Sequence, residues 1–187
     1  MTAFGVIPMN QQVALIRGIN VGRAKQVAMA SLRALMIELG YSNVQTLLNS
    51  GNVVFTIPAA AKGDVTTRIQ AGILARLGVS ARVIVVSARR FAEIVADNPL
   101  EGIATNPARL LVVFPASHAG LTKLEPLTEQ DWRPEALALG RYAGYLWCEN
   151  GILEGKLWKS VDRLLGETAT SRNWTTVLKL HRLIAAS

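Results

Sequence analysis

An α+β fold in two related halves is predicted by three observations on these 187 residues. Apolar residues recur at helical spacing across 29–39 and 64–77. Short apolar runs at 12–17, 44–48, 53–57 and 82–86 have the length and composition of strands. The resulting order, β-α-β-β-α-β, starts again near Leu110 as β-α-β-β-α and ends with one more helix.

Gln12 to Arg17 is a short apolar strand that stops at a glycine. Val21 to Ala28 is a polar, basic loop. Met29, Leu32, Leu35 or Met36, and Leu39 mark one face of a helix, and Gly40 suits the residue past its end, where left-handed backbone is common. Strands Val44–Leu48 and Val53–Ile57 flank Asn49-Ser50-Gly51-Asn52, a hairpin signal. The Asp64 carboxylate can cap a helix through Leu77 by accepting a free N–H of its first turn. Strand Arg82–Val86 completes the split βαβ pattern of ferredoxin-like folds. Ser87 caps a helix to about Ala96, and Asn98-Pro99 and Asn106-Pro107 bracket a turn-rich connection. Beyond it come strand Leu110–Phe114, a short helix over Leu121–Leu127 and strands Ala136–Leu139 and Tyr142–Cys148 around Gly140-Arg141. Helices Lys156–Leu165 and Asn173–Ala185 close the chain. The second half therefore reads as the first without its last strand, so a structural duplication is expected. The divisions are an extension at 1–10, a ferredoxin-like half at 11–97, a connection at 98–107 and a second α+β half at 108–187, packed on the first.

The composition sets bounds on function. Half of the residues, 50%, are hydrophobic, ample for a packed core. Lone Cys148 excludes an intrachain disulfide and fits a reducing compartment. No apolar run reaches the ~20 residues that span a bilayer. Residues 1–10 lack the basic start and apolar core of a signal peptide, and Met9 is an alternative start to Met1. These features point to a cytoplasmic protein with no membrane partner. The net charge is +7, and its excess is uneven. Residues 1–100 hold 10 Lys/Arg against 4 Asp/Glu, whereas 101–187 hold 10 against 9. Such a field attracts phosphates and polyanions. Lys and Arg never run beyond two in a row, so solubility is the competing explanation.

Three motifs place Gly, Asn, Ser or Thr beside a cation at the edge of an apolar segment. In the first, Arg17 ends a strand, Gly18 and Gly22 allow close backbone approach, and Asn20 tolerates left-handed backbone while offering a donor and an acceptor. Arg23 and Lys25 add charge. The spacing matches neither a dinucleotide-binding fingerprint nor a P-loop. The second motif, with Ser50 and Asn52, is what a hairpin turn requires, and only its surplus of amide and hydroxyl groups suggests more. In the third, Thr170, Ser171 or Asn173 can cap the last helix, and Arg172 stands beside its free amides, a ready arrangement for an anion. Lys156 opens the preceding helix. Arg17, Asn20, Ser50, Asn52, Arg172 and Asn173 are expected to converge, because each motif sits at the end of an element. Two histidines and one cysteine make no zinc set, no nucleophile elbow occurs and the motifs carry no acid, so no metal or cofactor is expected.

These motifs resemble a largely bacterial group, the 1697 family of domains of unknown function. The resemblance runs from about Val13 to Leu183 and rests on Leu15–Gly22, Met29 with Leu32, Gly40, Val44, Thr46, Ser50–Phe55, Asn98-Pro99, Val113-Phe114 and Thr170–Leu180. It implies an α+β fold with ferredoxin-like parts and no established activity or catalytic residue. There are departures. Leu47, Leu48 and Asn49 stand where the family usually has an aromatic, an apolar residue and Gln. Gly155 stands where it often has Ser before Lys-Leu.

The leading expectation is a binding module for a phosphate-bearing ligand, a nucleotide or a nucleic acid. The alternatives are a metal-independent enzyme on a small anionic metabolite and a protein–protein interaction module. In the enzyme reading Arg17, Lys156 and Arg172 stabilise charge while Asn20, Ser50 and Asn52 position the substrate.

Overall fold

The computed structural model describes residues 8–20, 25–61 and 63–186. The chain forms two compact units, one holding residues up to Phe91 together with the end from Leu180, the other Ala92–Lys179.

The first four strands are β1 (Gln11–Arg17), β2 (Ser42–Leu47), β3 (Asn52–Thr56) and β4 (Arg82–Ser87), with α1 (Met29–Glu38) after β1 and α2 (Val65–Leu77) after β3. They pair antiparallel in the order β2-β3-β1-β4. Leu32, Leu35 and Met36 of α1 and Ile69 and Ile73 of α2 bury against Ala14, Ile16, Val53, Phe55 and Val83 on one sheet face. The expected ends hold. Gly40, at φ 86, and Tyr41 return their N–H groups to Ile37 O and Met36 O and so close α1. Asp64 accepts from Thr67 N at 2.8 Å at the start of α2.

After α3 (Ala88–Ala96) come β5 (Leu110–Pro115), α4 (His118–Thr128), β6 (Ala136–Leu139), β7 (Gly144–Trp147), α5 (Lys156–Leu165), a 3₁₀ turn (Gly166–Thr168), β8 (Ala169–Asn173) and α6 (Trp174–Ala185). The strands pair antiparallel in the order β6-β7-β5-β8. Leu111, Val113, Leu146 and Ala169 pack with Leu124 of α4 and with Leu157, Val161 and Leu165 of α5.

The arrangement is a duplicated ferredoxin-like α+β fold, and β8 adds the strand missing from the sequence reading. Thr-Ser-Arg-Asn is too polar to announce a strand; its place comes from five ladder partners along β5. The duplication extends to register. Ser87, opposite Gln12, accepts from Arg90 N at 3.2 Å at the start of α3. Asn173, opposite Leu111, accepts from Thr176 N at 2.9 Å at the start of α6. Counting along the ladders from these two caps, Ala14 matches Val113, Phe55 matches Leu146 and Val83 matches Ala169, and all six face their helices.

Candidate functional site

Matching registers expose where the halves differ. In the second half two residues, Ala116 and Ser117, join β5 to α4, and the β6–β7 turn closes directly from Gly140 N to Ala143 O at 2.9 Å. In the first half residues 18–28 join β1 to α1, and the β2–β3 turn spans 48–51. The longer β1–α1 connection and the β2–β3 turn, which matches its counterpart in length, leave the same end of the sheet, and a side chain ties them together. The Asn20 amide donates to Asn49 O at 2.7 Å and to Val27 O at 2.9 Å, while Asn20 Oδ1 accepts from Val27 N at 2.7 Å. Asn20 N adds a bond to Lys25 O at 3.0 Å. One carboxamide thus pins both ends of the long loop to the hairpin tip.

The hairpin is fixed from inside. Asn52, fully buried, donates to Leu47 O at 3.0 Å and to Ser50 Oγ at 2.9 Å. Gly51 O accepts from Ile16 N at 2.7 Å. A Cβ on Gly51 would lie 2.9 Å from Ile16 Cβ and from Ile19 Cδ1, so only glycine brings the tip onto β1. Backbone strain gathers here too. Among the described residues four non-glycines have positive φ, and Asn20, Lys25 and Leu48 are three of them. Such residues persist where surrounding structure holds them and are enriched at functional sites.

Charge gathers at the same end. Arg17 and Arg82 are direct cross-strand partners at the last rung of the β1–β4 ladder. Antiparallel partners put their side chains on one face, with Cβ atoms about 4.5–5.5 Å apart, an arrangement that disfavours like charges. Lys25 is exposed on the loop that follows Arg17. Arg82 lies in none of the three sequence motifs. The available signal was that Gln12–Arg17 and Arg82–Val86, read as antiparallel neighbours, place one strand's last residue opposite the other's first.

The remaining predicted site residues fall as follows. Gly18 has φ 86, as a tight strand exit requires. Gly22 and Arg23 lie outside the described residues. Arg17, Asn20, Ser50 and Asn52 belong to the first unit and Arg172 and Asn173 to the second. In the second unit Arg172 donates to Thr170 Oγ1 at 2.9 Å and to Ser171 O at 2.7 Å, along its own strand. Asn173 is the cap of α6. Lys156 is exposed at the start of α5, where Glu135 Oε2 already accepts from Lys156 N and Leu157 N, each at 3.1 Å. A carboxylate of the chain itself therefore fills that helix end. A Cβ on Gly155 would run into Glu135 Oε1, so this glycine makes room for the carboxylate at the position where the family often has Ser. His118 is exposed, and burial holds the His181 imidazole below its usual range.

The model of a family described as proteins of unknown function, DUF1697, matches residues 9–145. The chain belongs to this family. Among solved structures it is similar to the conserved bacterial protein SP0830 of Streptococcus pneumoniae, at 22% identity and a TM-score of 0.76, over 93% of this chain and 98% of that one. That likeness concerns the fold alone. No curated protein matches the chain.

Proposed function

We propose that the protein binds a phosphate-bearing ligand, a nucleotide or a nucleic acid, at the tied loops of its first half. The observation that carries the reading is the Arg17–Arg82 cross-strand pair at the strand end feeding those loops. Exposed Lys25 and the positive excess of residues 1–100 add to the field. Asn20, Ser50 and Asn52 also make hydrogen bonds within the loops that keep the site's shape.

A thermal-shift screen of nucleotides, phosphorylated metabolites and short oligonucleotides tests the reading. A ligand at 100 times its Kd adds about 2.7 kcal/mol of stability. Arg82→Glu is expected to abolish the shift, while Arg76→Ala, which removes a surface pair with Glu38, leaves it intact. For a polynucleotide, affinity should fall with salt at a log–log slope of about −0.9 per neutralised phosphate on duplex DNA. Unchanged binding in Arg82→Glu would remove the site from consideration.

A further inference from the structure

The second half carries a separate feature at its own hairpin. A cavity of about 320 Å³ is lined by Glu93, Ala96 and Asp97 at the end of α3 and by Arg141 and Tyr142 at the tip of the β6–β7 turn. That volume lies at the lower end of small-molecule sites. The turn is held against the helix end by specific bonds. Asp97 Oδ2 accepts from Arg141 N at 2.8 Å, and Tyr145 OH donates to Ile94 O at 2.6 Å. A Cβ on Gly140 would lie 2.5 Å from Asp97 Oδ2 and 2.8 Å from Tyr145 Cε2, so a glycine is needed for this approach.

The charges in the cavity are of opposite sign and stay apart. The Arg141 guanidinium lies over the Tyr142 ring, 5.0 Å from its centroid, rather than on a carboxylate. Asp97 spends one oxygen on the Arg141 backbone, and no ion pair joins its carboxylate to the Arg141 guanidinium. Glu93, one turn earlier on α3, adds a second carboxylate to the wall. A solvent-open cleft with a fixed cation at one side, carboxylates at the other and an aromatic ring beside them is complementary to a molecule carrying both charges. We infer that this cleft binds a small zwitterion of the α-amino-acid type. The ammonium meets Asp97 and Glu93, the carboxylate meets Arg141 as a fork-on-fork pair, and the side chain lies against Tyr142 and Ala96.

The test is isothermal titration of the full chain with L-phenylalanine, N-acetyl-L-phenylalanine and L-phenylalanine amide. The free amino acid is expected to bind saturably. The acetylated form loses the ammonium and the amide loses the carboxylate, and each is expected to bind about tenfold more weakly or worse, as one missing charge-assisted hydrogen bond implies. Arg141→Gln should lose its preference for the free acid over the amide. Asp97→Asn keeps an oxygen for Arg141 N, and with it the turn, but should lose the preference for the free over the acetylated amine. Absence of saturable binding of L-phenylalanine, or equal binding of all three compounds, would overturn the inference. So would retention of both preferences in the two variants.

Discussion

Replacing Asn20 separates the hydrogen bonds of its side chain from the conformation of its backbone. Asn20 has φ 54, which glycine adopts freely and alanine does not. Asn20→Gly therefore removes three bonds, to Val27 N, Val27 O and Asn49 O, without steric penalty. A net contribution of about 0.5–1.5 kcal/mol for each bond predicts a loss of roughly 2–4 kcal/mol. Asn20→Ala adds the left-handed strain, about 1–2 kcal/mol more. For a chain of this size each kcal/mol moves the melting temperature by about 2–4 °C. Differential scanning calorimetry should thus place Asn20→Gly well below the parent and Asn20→Ala lower still. Asn20→Asp is the sharper variant. Its carboxylate can still accept from Val27 N but faces two carbonyls with no proton to give, so it should resemble or fall below Asn20→Gly. If Asn20→Gly melts with the parent, the side chain does not hold the loop and the account of a tied site fails.

Gly51→Ala combines φ 75 with contacts of 2.9 Å to Ile16 and Ile19 and should cost about 2–4 kcal/mol in urea unfolding; a loss under about 0.5 would show that the tip can lift off β1 freely. Gly155→Ala should drive the Glu135 carboxylate off the first amides of α5 at a cost of about 1–2 kcal/mol. The same change made in a Glu135→Ala background should cost little, and additive losses would dismiss the cap. Burial, with the Glu135 charge second, pushes the Cys148 thiol up from 9.0 to about 12. The unfolded chain releases this proton first as pH rises, so stability from this group is complete below pH 9 and declines between 9 and about 12. Cys148→Ala should flatten that alkaline decline in part, since burial also raises Tyr145; an identical pH profile for parent and variant would contradict the assignment.

Most of the fold was legible because strand and helix periods dominate where one face is buried, as in Met29–Leu39 around Gly40. What was missed lacks a local signal. Helix α4 begins at His118, three residues before the expected Leu121, because Ser-His-Ala-Gly carries no apolar rhythm, and Pro126 falls inside it, two residues before its end. Strand β8 was read as a helix cap because Asn173 is one; the residues just before it are strand only through pairing with β5. The Glu135 cap acts across 21 residues, a distance at which no capping pattern can be read. At the candidate site the residue types were visible but their roles were not. Asn20 and Asn52, expected as ligand contacts, also hold the loops through hydrogen bonds that no local pattern announces. Gly155, noted only as a departure, is explained by a carboxylate standing where a serine hydroxyl would serve.

The duplication supplies its own control. Both halves build the same sheet in the same register, and the second does so with a two-residue link after its first strand. The topology therefore does not require the 18–28 loop of the first half. Yet the first half keeps it, and it holds Asn20, Lys25 and Leu48 at positive φ, a strain of about 1 kcal/mol or more for each residue other than Asn. It also opposes Arg17 with Arg82, where an opposite charge or an apolar pair would stabilise the rung. In the second half the positions that match Arg17 and Arg82 are Ala116 and Thr168, where Ala116 N donates to Thr168 O at 2.8 Å, so the charge pair is no requirement of the architecture either. Strain, extra chain and like charge all fall at one end of one half. A recurring architectural need would have placed them in both, and this asymmetry is why the search for a ligand begins at the first half's loops.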